Sequence, residues 1–376
     1  MRKFSIQNVK PGMELARPVY GVGGQTILKA GAALKPKYIQ KLYQMDINSV
    51  YVKDARLEDV EQEDVIAEKT KQETRLVLKS VFQETSNSGE SRKNIVNLER
   101  KIIETINNIF DDILGNKELV LNLVDIKSTD NYFFDHSLSV AVLSIITALK
   151  MDLPRSMIKR NTPGMLLFDI GMTKIPAFIL NKSGELAPEE FDVIKRHPNH
   201  GFQLFKDSKL FSDSAADIIL QHHERLDGQG YPRGLKEKDI SLFAQIVAVA
   251  DVYDALISKR PYRRAYQPYE ALAILSGMWN QGLNADIIRE LFKFVAAYPL
   301  GTHVMLSTGH SGLVIGNTAG NPFRPRVRIF YEGEELSPIA NPYEVDLTED
   351  IDVVVDRVIV EEEGNSESCF DLTYTC

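Results

Sequence analysis

The spacing of apolar positions changes twice along the chain. In residues 1–55, short runs rich in β-type residues (ELARPVYGV, QTILKAG, NSVYVKD) are punctuated by Gly and Pro, with one helical stretch from Lys37 to Gln44. That pattern predicts a small α+β module. From 56 to 118 the charge density rises and the period becomes helical, interrupted by the polar run from Ser86 to Ser91. Beyond the break, Ile95, Leu98, Ile102, Ile106, Ile109 and Ile113 recur at intervals of three and four, the signature of one apolar helical face. Such a face suits a helical connector or a homodimerisation element. From 119 to 297 one helical pattern follows another. In 298–376, the runs HVMLST, SGLVIG, RVRIFY and IDVVVDRVIV return to β character before an acidic tail. No fixed-period repeat runs through the chain. The expected architecture is mainly α, with an α+β module before it and a β-rich module after it.

At 376 residues the chain is long enough for two or three structural units. A net charge of −8 without a long basic run argues against a DNA or RNA polymer as partner. The start MRKFSIQNV has no apolar signal core, and no stretch is read as the roughly 20 apolar residues of a spanning helix, so a cytoplasmic location without membrane contact is expected. Cys369 and Cys376 are the only cysteines and sit at the far C-terminus, which excludes a disulfide framework or a thiolate-rich metal site. Any metal must be held by imidazole and carboxylate.

The histidines give that condition content. Five of the seven, His136, His197, His200, His222 and His223, fall between 136 and 223. A single buried histidine is usually a hydrogen-bonded core residue. Five together, flanked by Asp169 and Asp251, point instead to a centre for Fe, Mn, Zn or Ni.

Several stretches carry the pattern further: DNYFFDHS, LLFDIGMTKIP, IKRHP, HHERLDGQGYPRGL and AVADVYDALISKRPYRRA. The last sets Asp251 and Asp254 one helical turn apart and delivers Arg260, Arg263 and Arg264 beyond them. In this order and spacing, the motifs resemble the HD-GYP family of cyclic dinucleotide phosphodiesterases over about 119–297. The flanking segments resemble, more weakly, modules found on such proteins. The resemblance implies an HD-type helical bundle holding two divalent transition metals, with Fe or Mn favoured and Ni or Zn as alternatives, and cleaving cyclic di-GMP or cyclic GMP-AMP. It places His136, the position of Phe168, Asp169 and Asp251 around one metal, and Asp169, His197, His222 and His223 around the other, with Asp169 bridging. Asp169 and Asp251 are then catalytic, since two cations about 3.5–4 Å apart clamp the attacked phosphate.

The family's name refers to a His-Asp pair, and here residue 168 is phenylalanine. A phenyl ring has no lone pair, so the first metal position falls to three protein ligands while the second keeps its set. The expectation is a weakened first site and reduced turnover. Met172 stands where many members have lysine, and Lys174 lies too far around a helix to replace it. Tyr132 stands where some members place a glutamate for a third metal, so two metals are the maximum. Gly228, Gly230, Tyr231 and Pro232 form the turn-rich GYP loop, expected to border the substrate. Arg260 and Arg263 offer planar guanidinium groups to phosphate, whereas Lys195 and Arg196 read as surface charge. Three functions fit: a metal-dependent cyclic dinucleotide phosphodiesterase, an inactive nucleotide-binding or partner-binding relative, and another phosphohydrolase of the wider HD superfamily.

Overall fold

The computed structural model describes residues 1–21, 25–45, 47, 49–60, 64–86, 92–116, 132–182, 184–206, 211–258 and 265–359. The N-terminal module contains β1 (Arg2–Ser5), β2 (Val19–Tyr20), β3 (Thr26–Leu28), α1 (Pro36–Gln44) and β4 (Ser49–Val52). β1 pairs antiparallel with β4, and β2 with β3. Pro36 opens α1 at a position where its missing N–H costs nothing. Leu15, Leu34, Leu42, Val50 and Val52 close a small core beneath it.

Two long helices follow, α2 (Glu68–Ser86) and α3 (Arg92–Gly115). Ile102, Ile106, Ile109 and Ile113 of α3 are buried in the main core. The apolar face read from the sequence is therefore covered within this chain, by α2 and α5. The side chain of Ile95 lies outside the described residues.

The helical domain comprises α4 (Tyr132–Lys150), α5 (Arg155–Leu166), a 3-10 turn (Ile170–Lys174), α6 (Ala177–Leu180), α7 (Pro188–Ile194), α8 (His197–Lys206), α9 (Asp213–Gln221), α10 (Leu242–Leu256), α11 (Pro268–Gly277) and α12 (Ala285–Phe292). α4 and α10 pack on each other and are apolar on nearly every face, as central helices must be. The stretch Phe133–Lys150 is long and apolar enough to cross a membrane by composition, so the sequence reading was too strict there. Yet 78% of it is buried in this core, which accounts for its apolarity.

The C-terminal module is a five-stranded antiparallel sheet of β5 (His303–Leu306), β6 (His310–Gly316), β7 (Arg326–Glu332), β8 (Ser337–Asp346) and β9 (Val355–Val358), in the order β8-β7-β6-β5-β9. The mainly helical layout with two small flanking modules is the one expected. β8 was not expected: Pro338 and Pro342 interrupt its strand signal, and both are tolerated because it is an edge strand. The run IDVVVDRVIV yields only the short β9 among the described residues. The two flanking segments touch, since Leu57 packs on Leu313 and Ile315, Arg328 grips Asp59 through both terminal nitrogens at 2.8 and 2.6 Å, and Arg2 Nε donates to the Gly301 carbonyl at 3.1 Å. The acidic tail and both cysteines lie outside the described residues.

Candidate metal centre

Helix α5 ends at Leu166, and the chain enters the core as Leu167 and Phe168 before Asp169 caps the 3-10 turn. A Cβ on Gly171 in that turn would meet the His197 carbonyl oxygen at 1.9 Å. Only glycine lets the turn press against the start of α8, and this brings Asp169 to His197.

His197 Nδ1 lies 2.8 Å from the Ile194 carbonyl, and His222 Nδ1 lies 2.9 Å from the Ile219 carbonyl. A carbonyl only accepts, so each Nδ1 carries a proton, and in that tautomer each ring turns a bare Nε2 inward. Those two Nε2 atoms are 3.2 Å apart, and Asp169 Oδ1 stands 3.2 Å from the first and 3.6 Å from the second. With His223, they form a group whose ligand atoms all lie within 4.8 Å of one another. Asp169 Oδ1 is buried and has no hydrogen-bond partner. Converging lone pairs with no proton to share are a donor set that a divalent cation fits.

Electrostatics reinforce the arrangement. Burial pushes the Asp169 carboxyl up, but the neighbouring His197 and His222 rings outweigh it and hold the group well below the usual carboxylate range. Burial of the His223 ring, then the neighbouring His222 and His197, hold that imidazole neutral well below its ordinary value. Tyr231 stacks on His223 at 4.6 Å, and its backbone N–H donates to the His223 carbonyl at 3.1 Å. Burial, then Asp169 and Asp251, push the Tyr231 phenol upward, so it stays protonated.

His136 and Asp251 form a separate pair. His136 Nε2 is 3.0 Å from Asp251 Oδ1, while its Nδ1 is 2.7 Å from Asp254 Oδ2. Ser258 Oγ also donates to that Asp254 oxygen at 3.2 Å. The fully buried Phe168 ring stands between this pair and the cluster, edge-on to His136 at 5.5 Å and to His222 at 5.1 Å. His136 and Asp251 are thus brought beside the four-residue group but are not part of it.

Gly228 adopts φ +82°, open to glycine and costly for other residues. The loop beyond it hangs on Glu224, a buried carboxylate that accepts from the backbone N–H of Arg233 at 2.7 Å and of Leu235 at 2.9 Å. Glu224 and Asp254 had no role in the sequence reading. Their signals were present, in the third residue of HHE and in the one-turn spacing from Asp251. Lys174 donates to the Thr85 carbonyl, and Lys195 pairs with Asp192 at 3.2 Å. His200 stays outside the cluster. Arg260, Arg263 and Arg264, and the side chain of Tyr132, lie outside the described residues.

The helical segment that carries this centre is similar to HD domains. Residues 117–287 match the family described as HD domain, and residues 303–367 match the KOW domain associated with HD domain. The chain is 36% identical over 236 residues to a cyclic di-GMP phosphodiesterase of Pseudomonas aeruginosa, covering 63% of this chain and 57% of the relative. It is 34% identical over 180 residues to the 3'3'-cGAMP-specific phosphodiesterase 3 of Vibrio cholerae, covering 47% of this chain and 38% of the relative. The chain therefore spans little more than half of the first and less of the second. In fold it is similar to an HDG"Y"P protein from Bdellovibrio bacteriovorus, with a TM-score of 0.52 at 21% identity, over 77% of this chain and 97% of the other. The resemblance read from the five motifs is borne out.

Proposed function

We propose that this chain is a metal-dependent phosphodiesterase that opens a cyclic dinucleotide, cyclic di-GMP or cyclic GMP-AMP, and that Phe168 slows it. The observation that carries the proposal is the convergence of the inward-facing Nε2 atoms of His197 and His222 and an orphaned carboxylate oxygen on one point. Asp169, His197, His222 and His223 would hold one cation, and His136, Asp169 and Asp251 a second. Iron or manganese suits this nitrogen and oxygen set, with nickel or zinc as alternatives. When bound, such a cation supplies Lewis acidity toward a phosphodiester oxygen and acidifies water near neutral pH.

The side chains have distinct tasks. Asp169 stays ionised at neutral pH and offers its charge to both positions. The carbonyls of Ile194 and Ile219 fix the tautomers of His197 and His222, so neither ring has to reorient on binding. Asp254 orients His136 through Nδ1 in the same way. Tyr231, kept protonated, donates a hydrogen bond to phosphate or sugar oxygen beside the cluster. Gly228 shapes the loop that carries it, and Arg260 and Arg263 grip phosphate.

Phe168 separates the tasks of binding and chemistry. An apolar ring stands where the family pattern supplies a ligand, so the His136–Asp251 side lacks a donor. Binding by the loop, the arginines and the complete cluster is retained, whereas attack in line with the leaving oxygen needs both sides. A largely inactive nucleotide binder is the second reading, favoured by the same ring. The test is incubation of manganese- or iron(II)-loaded protein with cyclic di-GMP and cyclic GMP-AMP, beside His222→Ala. Slow opening of one nucleotide, lost together with the metal in His222→Ala, is expected. Unchanged turnover in a variant that has lost its metal would refute the assignment.

A further inference from the structure

Helix α2 reaches both sides of the candidate centre. Midway along it, Arg75 Nε donates to Asp135 Oδ1 in the first turn of α4, and at its last turn the Thr85 carbonyl accepts from Lys174 of the 3-10 turn. Between those two contacts, Phe82 and Phe134 meet edge to face at 5.6 Å. Arg75 is itself held within a ladder of alternating charge. Glu68 Oε1 lies 3.8 Å from its Nη1, Lys71 Nζ lies 3.6 Å from Glu68 Oε2 and 2.8 Å from Asp64 Oδ2, and Arg17 Nη1 of the N-terminal module lies 2.7 Å from Asp64 Oδ1.

Burial makes these charges informative. Asp135 is 2% exposed and Lys71 1%, although residues of both types are almost never fully buried unless paired. A buried ion pair adds little stability that a well-packed apolar pair would not supply. It does discriminate between registers, since sliding α2 by one helical turn, about 5.4 Å, would strand Asp135 without its partner. The first turn of α4 needs such a constraint, because helix ends fray. His136 is the residue after Asp135, and its ring is met by Asp251 and Asp254, both on α10.

We infer that Arg75 is a positioning residue for His136, an assignment that rests on the reading given under Proposed function. By gripping Asp135 it fixes the first turn of α4 against α2, so that the His136 ring meets Asp254 through Nδ1 and presents Nε2 beside Asp251. Asp254 sets the rotation of the ring, and Arg75 sets the backbone from which the ring projects. Without the grip, both carboxylates of α10 keep their places and the imidazole loses its approach to them. The effect is confined to this side of the centre. His197 and His222 stand on α8 and at the end of α9, where their Nδ1 protons go to carbonyls three residues back in the chain.

The experiment follows, by NMR on the whole chain with isotope-labelled histidine and chelator present, the exchange of ring N–H protons with water in the wild type, Arg75→Met and Arg75→Met/Asp135→Asn. The single variant strands a buried charge, and the double variant removes that charge as well. Both are expected to exchange the His136 Nδ1 proton about tenfold faster or more, with the His222 Nδ1 proton unchanged. Wild-type exchange at His136 in either variant overturns the positioning role. An equal rise at His136 and His222 also overturns it, since Arg75 would then be a general support of the fold. Manganese titration keeps this role apart from the metal reading. Adding Arg75→Met to Phe168→His is expected to weaken the second ion about tenfold or more and to spare the first; equal weakening of both overturns the positioning role. A selective rise at His136 in a protein that takes up no manganese removes the metal reading and leaves the hold of Arg75 on the ring in place.

Discussion

Replacing Phe168 with histidine should add a metal position at the expense of stability in the metal-free protein. The ring is fully buried and touches His136 and His222 edge-on. Phe168→His puts two ring nitrogens into a space now filled by an apolar ring, and a buried polar group left unpartnered costs about 1–3 kcal/mol. The chelated variant should therefore melt several degrees below the chelated wild type, at roughly 2–4 °C per kcal/mol for a domain of this size. Metal reverses the comparison. Removing groups that merely orient a ligand costs about ten- to a hundredfold in metal affinity, so supplying a direct ligand should gain at least about tenfold, or about 1.4 kcal/mol. Elemental analysis of protein purified without chelator should give about one ion per chain for the wild type and about two for the variant, as a two-metal clamp requires. Thermal melts with and without chelator should show the larger metal-induced rise in the variant. Equal metal content and equal metal-induced stabilisation would refute the role given to residue 168.

Three other outcomes follow from the geometry. His223 titrates lower in the fold than in the unfolded chain, so as pH drops below 6.5 the unfolded state takes up the proton first. Stability of the chelated protein should then fall by up to about 1.4 kcal/mol per pH unit until the folded value is reached, with Asp169 adding its loss only below 3.8; denaturant titrations at about pH 7.5 and about pH 5.5 giving the same stability would contradict this. Glu224→Gln keeps one acceptor and loses the other, so it should destabilise by about 1.5–3 kcal/mol and speed amide exchange at Arg233 or Leu235; unchanged exchange at both would show that the loop is held elsewhere. Arg263→Ala should weaken cyclic dinucleotide binding by a charge-assisted contact of about 1.5–3 kcal/mol, read by calorimetry, and equal affinity would return the residue to the surface.

The sequence exposed what local pattern encodes. The apolar period of α3 was legible because burial imposes it on every turn, whereas the all-round apolarity of α4 was not read. His197, His222, His223 and Asp169 stood out through residue type and motif order, and the chain brings them together. Phe168 was legible as a missing donor, but its position between two half-sites required the ring distances. Glu224 and Asp254 went unassigned because each acts through another group, one through backbone N–H groups and the other through His136. β1 was missed because a four-residue strand carries little alternation, and β8 because it contains two prolines. The grip of Arg328 on Asp59 joins residues 269 apart in the chain, a pairing for which no local signal exists.

The most direct test compares turnover of cyclic di-GMP and cyclic GMP-AMP by the wild type and Phe168→His under excess manganese or iron(II), alongside binding affinity. Similar affinity for the two forms, with slow turnover by the wild type and markedly faster turnover by Phe168→His, is the predicted result. Rapid turnover by the wild type that histidine does not improve would contradict the account.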